Sequence, residues 1–169
     1  KIIIDNILAG SYPYSKTYLG NPCSTGILEF ILFFPVIFWD NYFSLVPIIS
    51  ILIMYIIFKD IADNDLSLLF IFIQISNLVF LEMSAAGSDF TLIGSIYLLS
   101  IWSGFKYCVS DRKVFLILAI IGFTFFYGSR VMLFFAFPIN FFIFYYLFRK
   151  KAFNIFLIPF LLNLIIYLS

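Results

Sequence analysis

Long apolar runs, separated by short segments that carry the charges and turn residues, are the feature that most limits how this chain can fold. There are six such runs of about 16 to 18 residues each, close to the roughly 20 that an α-helix needs to cross a bilayer. They cover residues 41–58, 66–81, 90–105, 114–129, 131–148 and 152–169. The runs are apolar all round, without the alternation of a transmembrane β-strand. The sequence therefore predicts an all-α fold, a polytopic transmembrane helix bundle of about six spans.

The composition excludes several classes of protein. Of the 169 residues, 64% are apolar and only 11% are charged, whereas about a quarter of a soluble domain is charged. A soluble enzyme, a free secreted domain and a nucleic-acid-binding protein are therefore excluded. The chain has no histidine, which excludes Ser-His triads and His-ligated metals. Cys23 and Cys108 fall on opposite predicted sides of the membrane, so neither a disulfide nor a zinc site is predicted.

The positions of the basic residues predict the orientation. Three loops, which follow the first, third and fifth spans, carry most of the Lys and Arg, and the positive-inside rule makes these loops cytoplasmic. Their basic residues are Lys59, Lys106, Arg112, Lys113, Arg149, Lys150 and Lys151. The N-terminal segment and the turns at 82–89 and 128–130 are then extracytoplasmic. We predict a multi-pass protein of a bacterial or archaeal plasma membrane, in contact with membrane lipids.

The first 40 residues differ from the rest. Residues 5–26 are rich in Gly, Pro, Tyr, Ser and Asn, which is typical of an irregular loop. Residues 27–39 are apolar but too short to span a membrane comfortably, and they predict a helix that lies in the outer interface. The domains are therefore an extracytoplasmic loop with an interfacial helix at 1–40 and a membrane bundle at 41–169. Because the chain starts without Met and stops within apolar sequence, we expect it to be a fragment.

Two ionisable residues on the predicted outer face are candidates for chemistry, because charges beside apolar sequence are energetically expensive. Arg130 can hold a phosphate with its planar fork of donors, and Asp89 can act as a base, bind an acceptor hydroxyl or bind a metal. Structural alternatives are equally consistent with the sequence: Asp89 can cap the third span, and Arg130 can anchor the chain at the interface.

Other polar residues of the same face are candidates for substrate binding, although Glu29 also fits a solvated helix surface. They are Tyr12, Tyr14, Lys16, Asn21 and Glu29. The cofactor stays unknown, because the carboxylates allow a divalent cation but show no clear metal-site spacing. Inside the apolar runs, Asn140 is predicted to form hydrogen bonds between helices.

Short motifs add a resemblance to a known family. Residues 7–14 contain the pattern L-x-G-x-x-P-Y and lead through a Tyr/Asn/Pro-rich loop into an apolar segment that reaches Pro35. Gly87-Ser88-Asp89 opens the third run, and Ser129-Arg130 precedes the fifth. This arrangement resembles polytopic GT-C glycosyltransferases, particularly the family 87 and mannosyltransferase-like members. Ser129-Arg130 departs from the pattern, since Lys-Pro is common there.

The resemblance implies a membrane enzyme that transfers a sugar from a polyprenyl-phosphate donor to an acceptor on the extracytoplasmic face. The reaction would be an inverting single displacement with a carboxylate as the base. In the family, this base is an Asp shortly before the loop glycine. Asp5 lies near that place, so it joins Asp89 as a catalytic candidate, and a base upstream of Lys1 stays open.

Two other functions compete with this interpretation. An O-antigen polymerase or ligase is suggested by Tyr127-Gly128-Ser129-Arg130 ahead of an apolar helix, because those proteins often carry Ser-Arg at a similar helix start. A transporter or assembly subunit, which is not an enzyme, should instead place its polar residues around a cavity at the middle of the membrane.

Overall fold

The computed structural model of the chain describes Ala9, Leu28, residues 42–78 and residues 90–168. Within these residues the regular structure is entirely helical, with no strand, and the all-α prediction is confirmed there. The helices are α1 (Tyr42–Ile61), α2 (Asn64–Ser76), α3 (Phe90–Ser110), α4 (Lys113–Ser129), α5 (Val131–Phe134), α6 (Phe137–Phe148) and α7 (Lys150–Leu168). The loop and interfacial helix predicted for residues 1–40 lie outside the described residues, except for Ala9 and Leu28.

The fifth predicted span is not one continuous helix. The single turn α5 ends at Phe134, and α6 begins at Phe137 after a short turn. Pro138 stands at the start of α6, has no N–H to donate, and its ring would clash with the carbonyl of residue 134 in a continuous helix. The chain therefore breaks just before the proline. Runs one, three, four and six each correspond to one helix.

Two helices are long and apolar enough to cross a membrane among the residues that the structure describes. They cover Thr91–Ser110 in α3 and Lys150–Tyr167 in α7. Large apolar side chains also lie on the outside of the bundle, where Phe72 is 68% exposed and Phe135 is 75% exposed. An apolar outer surface of this kind matches lipid better than water.

The core forms where α3, α4 and α7 meet, with α1 against α3 and α6 against α7. Phe123 of α4 lies at its centre and is fully buried. Its ring centroid is 4.7 Å from that of Phe156, 5.7 Å from that of Tyr127 and 6.3 Å from that of Phe144. Such aromatic pairs contribute both buried area and preferred ring geometry, so they fix how α4, α6 and α7 are placed.

Several buried hydroxyl groups are satisfied within their own helices. Ser50, Ser95, Ser100, Ser103 and Thr124 each donate to the carbonyl oxygen four residues earlier, at 2.6 to 2.8 Å. This local bond is the usual way for a hydroxyl to enter an apolar environment without a partner from another helix. We therefore do not assign these groups to a ligand site.

The basic loops meet at one end of the bundle. An ion pair of 2.7 Å between Lys106 and Asp60 joins the end of α3 to the end of α1. A second pair of 2.6 Å, between Lys151 and Asp111, joins the start of α7 to the turn between α3 and α4. Hydrogen bonds from Lys106 and Trp102 hold the pKa of the Asp60 carboxyl below its ordinary value. The three loops that the charge pattern predicts on one side thus lie at the same end, here called the basic end.

Candidate functional site at the end of α4

Of the residues that the sequence predicts to form a site, the structure describes Arg130. The others lie outside the described residues, namely Asp5, Tyr12, Tyr14, Lys16, Asn21, Glu29 and Asp89. Their predicted roles are therefore neither supported nor opposed by the fold.

Arg130 follows the last turn of α4, at the end of the bundle opposite the basic end. Its backbone is extended, with φ −149° and ψ 136°, and its side chain is half-buried. The next residue, Val131, starts α5, and the amide of Leu133 donates to the Arg130 carbonyl oxygen at 2.9 Å. A cation at this position is also favoured by the negative end of the α4 dipole. The break between α4 and α5 thus places Arg130 at this end of the bundle.

The last carbonyl groups of α4 accept hydrogen bonds from side chains. The final four carbonyls of a helix have no partner within it. Here the hydroxyl of Tyr167 in α7 donates to the Tyr127 carbonyl oxygen at 2.7 Å, and Ser129 donates to that of Phe126 at 2.8 Å. The end of α4 is therefore held by α7 and by its own last residue, which fixes the backbone just before Arg130.

A hydrogen-bonded chain of side chains lies beside this helix end. The Tyr97 hydroxyl of α3 donates to Asn140 Oδ1 of α6 at 2.8 Å. Asn140 Nδ2 in turn donates to the Tyr127 hydroxyl of α4 at 3.0 Å. Tyr127 is fully buried and Asn140 is 5% exposed. The hydrogen bonds between helices that the sequence predicts for Asn140 are thereby confirmed.

Asn163 of α7 adds a buried amide whose oxygen is free among the described residues. Its Nδ2 donates to the Pro159 carbonyl oxygen at 2.9 Å and to that of Thr124 at 3.2 Å, while Oδ1 accepts no hydrogen bond. The side chain is fully buried. Since buried polar atoms nearly always have a partner, this oxygen is unusual among the described residues.

Gly128 makes room for this amide. A Cβ atom built at Gly128 would lie 2.6 Å from Asn163 Oδ1 and would also collide with the Leu28 side chain. The bare backbone thus allows α7 and Leu28 to approach α4 two residues before Arg130.

We name Tyr97, Tyr127, Asn140 and Asn163 the α4-end cluster. Its members come from α3, α4, α6 and α7, and with Arg130 they offer hydroxyl, amide and guanidinium groups in otherwise apolar surroundings. Sequence reasoning predicted Arg130 and the bonds of Asn140 but missed Tyr97 and Asn163. An asparagine in the middle of an apolar run is the signal that could have found Asn163.

The carboxylates of the described residues lie away from this cluster. Asp60 and Asp111 are at the basic end, and Asp63 caps α2, where it accepts from the Leu66 amide at 2.9 Å. No group of three potential metal ligands occurs among the residues that the structure describes. The α4-end cluster thus has no carboxylate beside it among the described residues.

No protein-family model, curated protein or solved structure matches this chain.

Replacing Asn140 with leucine tests the cluster as a structural unit. We expect N140L to lower the free energy of unfolding by about 1 to 2 kcal/mol, because the half-buried Tyr97 hydroxyl and the buried Tyr127 hydroxyl lose their shared partner. The measurement is the unfolding equilibrium in mixed detergent micelles. Asn154 is an exposed residue that donates to the Tyr107 hydroxyl at 3.0 Å, and N154L serves as the control. Equal losses in the two variants would contradict the prediction.

Proposed function

We propose that this chain belongs to an integral-membrane glycosyltransferase that moves a sugar from a polyprenyl-phosphate donor to an acceptor on the extracytoplasmic face. The observation that carries the proposal is the position of Arg130. It lies beside a buried cluster of Tyr and Asn side chains, at the end of the bundle opposite the basic loops. The motifs that resemble GT-C glycosyltransferases supply the reaction type.

The proposal includes a polytopic bundle of about six spans. Two helices with the length and hydropathy of a span support a membrane placement, as do the exposed apolar side chains. The meeting of three basic loops at one end supports a single orientation, since positive loops stay in the cytoplasm. Arg130 then lies on the extracytoplasmic side, where lipid-linked sugars are used as donors by the family that the chain resembles.

Arg130 suits the departure of a phosphate leaving group. In the proposed step, an acceptor hydroxyl oxygen attacks the anomeric carbon and the bond between that carbon and the phosphate oxygen breaks. The electron pair leaves with the polyprenyl phosphate, and the guanidinium group stabilises the growing negative charge. The hydroxyl proton passes to a carboxylate, for which Asp89 and Asp5 are the candidates in this chain.

The remaining polar groups suit the sugar. Hydroxyl and amide groups recognise sugar hydroxyls by donating and accepting hydrogen bonds, and the free Oδ1 of Asn163 is such an acceptor. Tyr12, Tyr14, Lys16, Asn21 and Glu29 remain the proposed substrate-binding residues of the N-terminal segment. Burial of the cluster would exclude water, so that hydrolysis of the donor does not compete with transfer.

One observation favours a second candidate, an O-antigen polymerase or ligase. In the structure a helix starts at Val131, directly after Ser129-Arg130, which is the arrangement on which that resemblance is based. Such an enzyme would act on a glycan chain held by a lipid carrier, and Arg130 would keep the same role toward the carrier phosphate. The two candidate functions predict different products but give Arg130 the same role.

Transfer assays with the full-length protein in membranes test the proposal. We expect label from polyprenyl-phosphate hexoses to move to an acceptor in a single addition, and membranes that lack the protein serve as the control. A ladder of products, each longer by one repeat unit, would favour the polymerase instead. Donor that stays intact, or is consumed equally without the protein, would contradict both functions.

A further inference from the structure

An apolar groove of about 490 Å³ runs between α1 and α3 near the basic end. Its walls include Ile57 of α1 and Leu98, Phe105 and Val109 of α3. The groove is open to the side, since Leu98 is 40% exposed and Val109 is 78% exposed. A cavity of this size is large enough for a ligand, and its almost wholly apolar walls exclude a sugar or a free phosphate as the main occupant.

Among the residues that the structure describes, the only charged side chains that line the groove belong to one ion pair. Lys106 and Asp60 lie 2.7 Å apart, and the Trp102 indole Nε1 donates to Asp60 Oδ2 at 2.9 Å. Both charged side chains keep about one third of their surface exposed, with 37% for Lys106 and 34% for Asp60. Each therefore has room for one further polar partner. A tryptophan next to such a pair is also typical of the depth of lipid headgroups.

The groove has apolar walls and one charged end, and a phospholipid has the same arrangement of apolar chains and a charged headgroup. The groove is lined on α3 from Leu98 to Val109, a distance of roughly 16 Å at about 1.5 Å per residue, which accommodates much of an acyl chain. At the charged end, a cation and an anion lie side by side. A zwitterionic headgroup can place its phosphate on Lys106 and its ammonium on Asp60. An anionic headgroup without an ammonium would leave the negative charge of Asp60 without a partner from the lipid.

We propose that this groove is a binding site for phosphatidylethanolamine, with an acyl chain between α1 and α3 and the headgroup across Lys106 and Asp60. The site lies at the opposite end of the bundle from Arg130. It therefore depends on the membrane placement in the proposed function but not on sugar transfer. The groove would let one lipid fill the space between α1 and α3 and hold α1 against the rest of the bundle.

Native mass spectrometry of the full-length protein tests this site. The protein is purified in detergent with equal amounts of phosphatidylethanolamine and phosphatidylglycerol of identical acyl chains. We expect the wild-type protein to retain one phosphatidylethanolamine in preference to phosphatidylglycerol. In L98W the indole fills the groove, and we expect the retained fraction to fall by about fivefold or more, the factor that corresponds to roughly 1 kcal/mol.

Two further variants distinguish binding of the lipid acyl chain from binding of the headgroup. Ile117 of α4 is 56% exposed and lies outside the groove, so I117W adds the same bulk and should retain lipid like the wild type. In D60N the ammonium loses its partner, and the preference should shift from phosphatidylethanolamine toward phosphatidylglycerol. Equal retention by L98W and I117W, or a wild-type preference for phosphatidylglycerol, would overturn the proposal. Lipid retention by a protein that transfers no sugar would contradict the proposed function alone.

Discussion

Replacing Arg130 with alanine is expected to lower sugar transfer from a polyprenyl-phosphate donor by about 10²- to 10³-fold, the usual loss when one donor to a developing negative charge is removed. Arg130 follows the last turn of α4, three residues after Tyr127 of the α4-end cluster. In R130A the phosphate would leave without a cation to stabilise it. The measurement is the initial rate of transfer at saturating donor, with kcat and KM determined separately.

The conservative variant R130K distinguishes the effect of the positive charge from that of the planar guanidinium group. Lysine keeps the positive charge but loses the planar fork that can hold two phosphate oxygens at once, so R130K should fall between R130A and the wild type. Arg112 is exposed at the start of α4 and has no side-chain capping bond, which makes R112A the matched control. If R130A and R112A both transfer sugar at the wild-type rate, Arg130 has no part in the reaction.

A purely structural role of Arg130 gives a different result. A cation at the end of α4 stabilises the helix dipole by about 0.3 to 1 kcal/mol, and its loss would lower stability without a selective effect on kcat. The unfolding equilibrium of R130A in detergent therefore has to accompany the kinetic measurement. A large loss of transfer in a protein of nearly unchanged stability is the outcome that assigns Arg130 to the phosphate.

Hydrophobic runs predicted most of the helices, because an apolar stretch between charged loops has few other stable conformations in lipid. Their ends were predicted less well. α3 continues five residues beyond the predicted limit, to Ser110, since Lys106 finds Asp60 as a partner and can remain in the helix. The hydropathy pattern predicts the fifth run as one span, but the helix breaks just before Pro138. Proline is apolar enough to fit the run, so hydropathy alone does not show that it lacks the N–H group that a continuous helix needs.

The candidate site could be predicted only in part. Arg130 stands out in the sequence because it is a charge between two apolar runs, and Asn140 because it is polar within one. Tyr97 does not stand out in the same way, since its importance comes from the helices that it contacts. Asn163 is polar within an apolar run, but that pattern alone does not say which helix it contacts. The approach of Asn163 to α4 depends on the bare backbone of Gly128, a relation between residues 35 positions apart that no local pattern reports.

Replacing Gly122 with alanine should be among the most destabilising single changes in the bundle. Gly122 lies where α4 crosses α3, and a Cβ atom there would collide with the Ser100 hydroxyl and lie 3.2 Å from Ser100 Cβ and 3.5 Å from the Ile96 carbonyl oxygen. Ser100 is fully buried and donates to that carbonyl oxygen at 2.6 Å. Turning the hydroxyl away would break this bond, and moving Ser100 Cβ requires a shift of α3 itself.

We therefore expect G122A to lower the free energy of unfolding by about 1 to 3 kcal/mol, the range for an extra carbon in a tightly packed core. Gly94 offers a matched control in α3, because a Cβ atom there would meet no atom within 4 Å. G94A should leave stability unchanged or raise it by up to about 1 kcal/mol through the better helix propensity of alanine. Unfolding in mixed detergent micelles measures both variants. If they shift the equilibrium equally and in the same direction, close contact between α3 and α4 at Gly122 is not what holds these helices together.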